Sequence, residues 1–395
     1  MIRYRDLFAI GEFRYLYAGL ALSYLGDKFA ALAMTVLVFD RTQSSLLSGL
    51  AHASAFLPAL LAGPLLGGLA DRFRRRELMI VCDAARAILV GALLIPGMPI
   101  EGAIALLYIA ALFSTPYMAA RSALLPEILH GQASVTGNGL QRITYQLSQV
   151  VSFAVGGALL SVVEPEGALL FNSLTFSLSA ALTAYGVLSR PAPASAGPRT
   201  SAPAGFRVGL RHVFGDPWLR NCLMLVWLVS ACVHAPEAIV YPLAVTLGGA
   251  APLAGMLLSA TALGFATGAF LLTRVLTPSV RDRLIVPFAV VAGAALLPLI
   301  TVPPTPVVIV LLFASGLGCG YSAPLNALFV QRVAPAYRGR AMGVAIAGLT
   351  GGQGLGFLLA GAFTAIGVPP AAGFTLCGAA AVVAALVAGR LWKRA

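Results

Sequence analysis

The sequence predicts an all-α membrane protein of twelve transmembrane helices arranged as two pseudo-symmetric six-helix bundles. Composition, the spacing of the apolar runs and an internal repeat predict it. Of the 395 residues, 59% are hydrophobic and only 10% charged. The mean hydropathy of +0.90 lies outside the usage of soluble domains.

A membrane span needs about 20 apolar residues. Such windows fall at 14–39, 46–70, 78–97, 103–126, 135–163 and 168–189. They resume at 219–246, 252–273, 284–302, 306–330, 341–366 and 371–391. The first window follows a basic N-terminus but is long and has no clear cleavage site, so it reads as a retained span. The interruption, "RPAPASAGPRTSAPAGFR" from Arg190 to Arg207, is rich in Pro, Ala, Ser and Gly and reads as a flexible linker. The expected domains are a bundle at 1–189, a linker at 190–217 and a bundle at 218–395.

The halves repeat each other. A shift of 204 places Tyr117 on Tyr321, Gln149 on Gln353 and Gly157 on Gly361, and it aligns Ser148, Ser152 and Gly156 with Gly352, Gly356 and Ala360. A shift of 201 places Gly63 and Gly67 on Gly264 and Gly268. Small residues at every fourth position let two helices approach closely in lipid, where no hydrophobic drive joins them.

Charge placement orients the chain. Short cytoplasmic loops retain Lys and Arg during insertion. With the N-terminus inside, Arg3, Arg5, Arg14, the 72–76 cluster, the linker arginines, Arg274, Arg281, Arg283, Arg332, Arg338, Arg340 and Arg394 all fall inside, and Arg41 alone falls in an outer loop. Both termini are therefore expected in the cytoplasm of a multi-pass protein of the cell membrane.

Other classes find little support. The net charge of +12 sits between apolar runs with no aromatic-interleaved basic face, which argues against nucleic acid. The five cysteines lie in or beside apolar runs, with neither CxxC spacing nor a His partner, so no metal site is expected. No nucleophile stands with a base at workable spacing and no phosphate-binding GxxxxGK[ST] occurs, so neither an enzyme nor an ATP-driven pump is predicted, and no cofactor.

"GGLADRFRRREL", residues 67–78, concentrates charge at one hairpin. Gly63, Gly67 and Asp71 recur every fourth residue, so a helix would carry the carboxylate to the end of a close contact. The stretch resembles the signature loop between the second and third spans of major facilitator transporters. Gly67, Asp71, Arg72, Arg75 and Arg76 match that pattern, while Arg74 replaces its second glycine. Two readings stand for the cluster: a topology signal, or a conformational latch whose acid bridges partners in one state and releases them in the next. The second half keeps Gly268 but has Leu272 where Asp71 stands.

"SYLGDKFAALAM", "YMAARSALLPEIL", "LLSATALGFATGAF" and "RGRAMGV" narrow the resemblance to the drug and siderophore exporters, including enterobactin exporters and macrolide efflux proteins. The resemblance implies a secondary transporter, acting by alternating access, that moves a small amphipathic or hydrophobic compound outward against protons. Import or lipid flipping on the same fold is the alternative. A further departure bears on antiport: the antiporters' Gly-Pro-x-x-Gly-Gly appears as Ser152 to Gly157 without the proline and first glycine. A monomer in the bilayer, with a small molecule and protons as partners, is the expectation.

Charged groups inside spans are costly and usually functional. Asp27 and Lys28 lie roughly 20 Å along the first span, near its middle. They point about 100° apart on a helix, so Lys28 snorkels or meets another helix. Burial raises the proton affinity of Asp27 unless Lys28 or Arg86 approaches and holds it down. Glu237 and His234 share a helical face of the seventh span, and with Asp27 they are the candidates for carrying the proton. His52 lies in the second span, and Asp83 and Arg86 share a face of the third, where an ion pair to the signature loop is expected. Tyr117, Arg121, Tyr145, Gln149, Trp227, Tyr321, Asn326 and Gln353 are candidates for lining a substrate cavity, and most would serve equally well as interhelical hydrogen-bond partners.

Overall fold

Helix succeeds helix along the whole chain, and no strand occurs among the described residues. A computed structural model describes residues 4–66, 69–70, 72–191, 202–334 and 337–394, without the side chains of 59, 61, 63–65, 132, 135, 202–205, 393 and 394. The first half runs α1 (Tyr4–Phe8), α2 (Gly11–Thr42), α3 (Ser45–Ala53), α4 (Leu57–Leu66), α5 (Arg75–Ala92), α6 (Ile100–Leu112), α7 (Ser114–Ile128), α8 (Gln132–Leu159) and α9 (Pro165–Gly186). It is followed by α10 (Ala202–Gly215), α11 (Pro217–His234), α12 (Val240–Thr246), α13 (Ala251–Phe270), α14 (Pro278–Ala294), α15 (Thr305–Cys319), α16 (Ser322–Arg332), α17 (Arg338–Ala365) and α18 (Pro370–Arg394).

Each of the twelve apolar windows lands on helix. Among the described residues, nine helical stretches are long and apolar enough to cross a membrane. The other three windows depart for readable reasons. α5 carries Arg75, Arg76, Glu77, Asp83 and Arg86 within 18 residues, and α8 is long but studded with polar side chains. The expected second span breaks between α3 and α4: Pro58 lacks an N–H, and its ring would strike the carbonyl of residue 54. There the backbone tightens, with the amides of Ser54, Ala55 and Phe56 bonding three residues back at 3.2, 3.4 and 3.0 Å. Pro116 likewise ends α6 at Leu112, four residues earlier.

The stretch read as a flexible linker is partly helical. Residues 192–201 lie outside the described ones, but α10 begins at Ala202, before Arg207. Asp216 then caps α11, accepting from the amides of Trp218 and Leu219 at 2.8 and 3.4 Å, with Pro217 as the first helical residue.

The chain forms two compact units, Met1–Met34 with Pro58–Ala202, and Thr35–Leu57 with Pro203–Ala395. In the first unit α8 packs on α2: the Ser152 hydroxyl donates to the Leu25 carbonyl at 3.0 Å, and Gly156 faces the Phe29 ring. In the second, α17 packs on α11 through the repeat-equivalent positions, where a Cβ on Gly356 would come within 2.5 Å of the Ala231 carbonyl oxygen. α13 and α15 touch backbone to backbone, since a Cβ on Gly264 or Gly268 would lie 2.1 Å from the carbonyl oxygen of Phe313 or Leu317. The small-residue stripes of the repeat are thus helix contacts.

Candidate functional site

In the first unit, five helices bring polar groups together. Residues 27 of α2 and 83 and 86 of α5 meet: Arg86 Nη2 donates to both carboxylate oxygens of Asp27 at 3.1 and 3.0 Å, and its Nη1 donates to Asp83 Oδ1 at 3.3 Å. The guanidinium also lies 3.8 Å over the ring of Phe176 on α9. α9 is held close on both sides. Ser173 donates to the Ala87 carbonyl of α5 at 2.8 Å, and Gly26 of α2 leaves no room for a Cβ beside Thr175 and Asn172.

The three charges differ in access. The side chain of Asp83 is 0% exposed and that of Arg86 7%, while that of Asp27 is 38% exposed. An isolated charge at such depth is costly, and two carboxylates on one guanidinium remain affordable only because Arg86 serves both. Asp83 Oδ2, the Tyr117 hydroxyl and the Ser179 hydroxyl make no hydrogen bond, although Ser179 stands against both of the other groups.

Beside this triad, Arg121 Nη1 donates to the Tyr24 hydroxyl at 3.3 Å. The Tyr24 ring meets Tyr145 edge-on at 5.1 Å, Lys28 Nζ lies 5.2 Å from the Tyr145 centroid, and Gln149 donates to the Tyr145 hydroxyl at 3.3 Å. Asp27, Arg121, Tyr145 and Gln149 therefore belong to one polar neighbourhood. Tyr117 lies behind it, 3% exposed. Lys28 meets another helix, as one of its two expected courses.

The expected ion pair between the third span and the signature loop is replaced by the pairing of Asp83 and Arg86 with each other and with Asp27. The reason is depth: Arg86 is three helical turns beyond Arg75, level with Asp27. The loop arginines use other partners. Arg75 pairs with Glu127 and donates to the Ala123 carbonyl at 3.2 Å, both on α7, and Arg76 donates to the Ala184 carbonyl of α9. Arg72 is exposed, and Gly67 and Asp71 lie outside the described residues. Nearby, Arg190 pairs with Glu12 at 2.7 Å, a hydrogen bond that raises the proton affinity of the guanidinium.

In the second unit α11 ends at His234, and Ala235–Ile239 continue as a tighter 3₁₀ turn. His234 and Glu237 stand three residues apart across that junction, and each also meets another residue. His234 Nδ1 lies 2.9 Å from the Ser230 carbonyl oxygen, and the Ser230 hydroxyl accepts from Gln353 at 3.0 Å. Glu237 lies 3.9 Å from His52 Nε2, whose Nδ1 is 3.3 Å from the Thr35 hydroxyl and whose ring meets Phe357 at 4.7 Å. Glu237 also enters a narrow, mostly apolar crevice with Val233, Leu258, Thr261, Leu312 and Phe374.

Trp227 donates to the Ala345 carbonyl at 3.0 Å, and Tyr321, 2% exposed, donates to the Leu225 carbonyl at 3.3 Å. These are interhelical bonds. Asn326 is half-buried on α16. Among the described residues, no three His, Cys, Asp or Glu side chains group to hold a metal.

Comparison with known proteins agrees with this architecture. The family model of the Major Facilitator Superfamily matches residues 16–241 and 235–395. The multidrug efflux pump Tap of Mycolicibacterium fortuitum is 26% identical over 352 residues, covering 85% of each chain. Macrolide efflux protein A of Streptococcus pyogenes is 26% identical over 157 residues, 39% of each chain. The nucleoside transporter NupG superposes with a TM-score of 0.74 over 96% of this chain and all of its own, at 16% identity, a likeness of fold.

Proposed function

The chain belongs to the Major Facilitator Superfamily and is a multi-pass membrane transporter, and we propose that it exports a small amphipathic or hydrophobic compound by proton antiport. Relatives named as drug efflux proteins support the direction and the broad substrate class. The observation that carries the proposal is Asp27, a partly accessible carboxylate in a membrane-spanning helix, held at both oxygens by one buried arginine.

Ionised, Asp27 binds Arg86. A proton arriving on its accessible side neutralises it and removes the charge-assisted bonds, so the two protonation states favour different arrangements of α2 and α5. A substrate that prefers one arrangement and a proton that prefers the other are thereby coupled. The neighbouring Tyr24, Tyr145, Gln149 and Arg121 supply aromatic faces and hydrogen bonds suited to an amphipathic guest. The 1–189 and 218–395 bundles would rock about a central site, with both termini and the linker in the cytoplasm. The signature loop would act as a latch, so Asp71→Asn should lower flux while insertion stays intact.

The test is substrate flux in proteoliposomes under an imposed pH gradient. Asp27→Asn, fixed in the neutral form, is expected to abolish uphill movement and to keep downhill exchange. If Asp27→Asn still concentrates substrate and Glu237→Gln does not, the coupling carboxylate is Glu237. If both variants match the wild type, coupling to protons is refuted.

A further inference from the structure

Asp83 is fully enclosed, its side chain 0% exposed, and its two oxygens are treated differently. Oδ1 accepts from Arg86 at 3.3 Å, whereas Oδ2 is buried with no hydrogen bond. Next to it stand Ser179 of α9 and Tyr117 of α7, whose hydroxyls are also buried and make no well-formed hydrogen bond, although Ser179 stands within reach of both of the other groups. Three buried polar atoms without well-formed bonds in one place are expensive, because each forfeits its solvation and regains little. A carboxylate only accepts and a carboxylic acid also donates. Ser179 and Tyr117 can donate to the carboxylate or accept from the acid, and enclosure decides between the forms: a fully buried Oδ2 forfeits charge solvation only when ionised, so a proton there suits its position.

The charge count agrees. The groups facing Asp83 are Asp27 from α2, Arg86 and Cys82 from α5, Tyr117 from α7 and Ser179 from α9, with Arg121 of α7 beside Tyr117. Arg86 alone of these bonds the two carboxylates, and it gives Asp27 two hydrogen bonds and Asp83 one. One guanidinium thus faces two acids and is drawn towards Asp27.

We propose that Asp27, Arg86 and Asp83 hold one shared proton, which resides on the enclosed Asp83 while Arg86 binds Asp27. When the triad exchanges, the O–H bond on Asp83 breaks and one forms on Asp27. Arg86 keeps all its protons and moves its hydrogen bonds to Asp83. Asp83 is then a reservoir behind the accessible acid. The role in transport rests on the proposed antiport; the protonation itself does not.

Infrared difference spectroscopy on the purified full-length protein at neutral pH tests it through the carbonyl stretch of a protonated carboxyl group. The expected pattern is a band in the wild type that is lost in Asp83→Asn. It is lost also in Asp27→Asn, because Arg86 is then free to ionise Asp83. Arg86→Gln should strengthen the band, since both acids become neutral. A wild type without a band removed by these substitutions overturns the proposal, with Asp83 ionised and the hydroxyls served by water. A band that survives in Asp27→Asn overturns the sharing. Should Asp83→Asn fail to fold, the Asp27→Asn spectrum decides alone. The flux experiment is separate: failure of pH-driven transport with this spectral pattern intact refutes the antiport and leaves the shared proton standing.

Discussion

Arg86 is the residue on which the chemistry of the first unit turns, because it bonds both Asp27 and Asp83 and stacks on Phe176. A planar fork is what permits this. Lysine keeps the charge but presents a compact ammonium that cannot hold both Asp27 oxygens and Asp83 while lying flat on a ring. Arg86→Lys is therefore expected to insert normally and to slow pH-driven flux about tenfold, equivalent to roughly 1.4 kcal/mol of lost stabilisation. Flux equal to the wild type would show that charge alone suffices. The sequence names Arg86 and Lys28 as the two cations able to hold Asp27 ionised. That Asp83 belongs to the same group is illegible there: its i, i+3 relation to Arg86 is visible, but which helix that face meets depends on packing 59 residues away in the chain.

At the scale of elements, contacts between helices follow the small residues. Gly264 and Gly268 sit so close to α15 that an added Cβ would meet backbone oxygen at 2.1 Å. Backbone cannot step aside as a side chain does, so Gly264→Ala or Gly268→Ala must push the helices apart, at about 1–3 kcal/mol. The expected result is a lower unfolding midpoint in detergent. Gly343→Ala on α17, where a Cβ would meet nothing within 4 Å, is the control and should leave the midpoint unchanged or raise it. Equal melting of all three variants would remove the close-contact reading of the stripe. These contacts were legible because a fourfold spacing of small residues survives in both halves and needs no tertiary information. Helix breaks were less so: Pro58 and Pro116 are plain in the sequence, but prolines also sit inside helices here, as Pro126 and Pro287 do. Whether a proline interrupts or merely kinks is decided by what can satisfy the freed carbonyl.

For the whole molecule, the arginine distribution carries the orientation, and the described residues supply sites at which to test it. Ser189 follows α9 and Glu164 precedes it, both exposed, so a thiol at either is open to reagent. A span of 22 residues separates them, about 33 Å of helix, enough to cross the hydrocarbon core. The ends must then lie on opposite sides. Positive residues cluster at one end of this span, with Arg76 and Arg190 near its C-terminus, and the acids Glu164 and Glu166 mark the other. With the five native cysteines replaced, Glu164→Cys should react with an impermeant maleimide added to intact cells, and Ser189→Cys only after permeabilisation. The reverse order would invert the chain and place both termini outside. Labelling of both from outside would mean that α9 does not span at all, and the six-helix first bundle would fall with it.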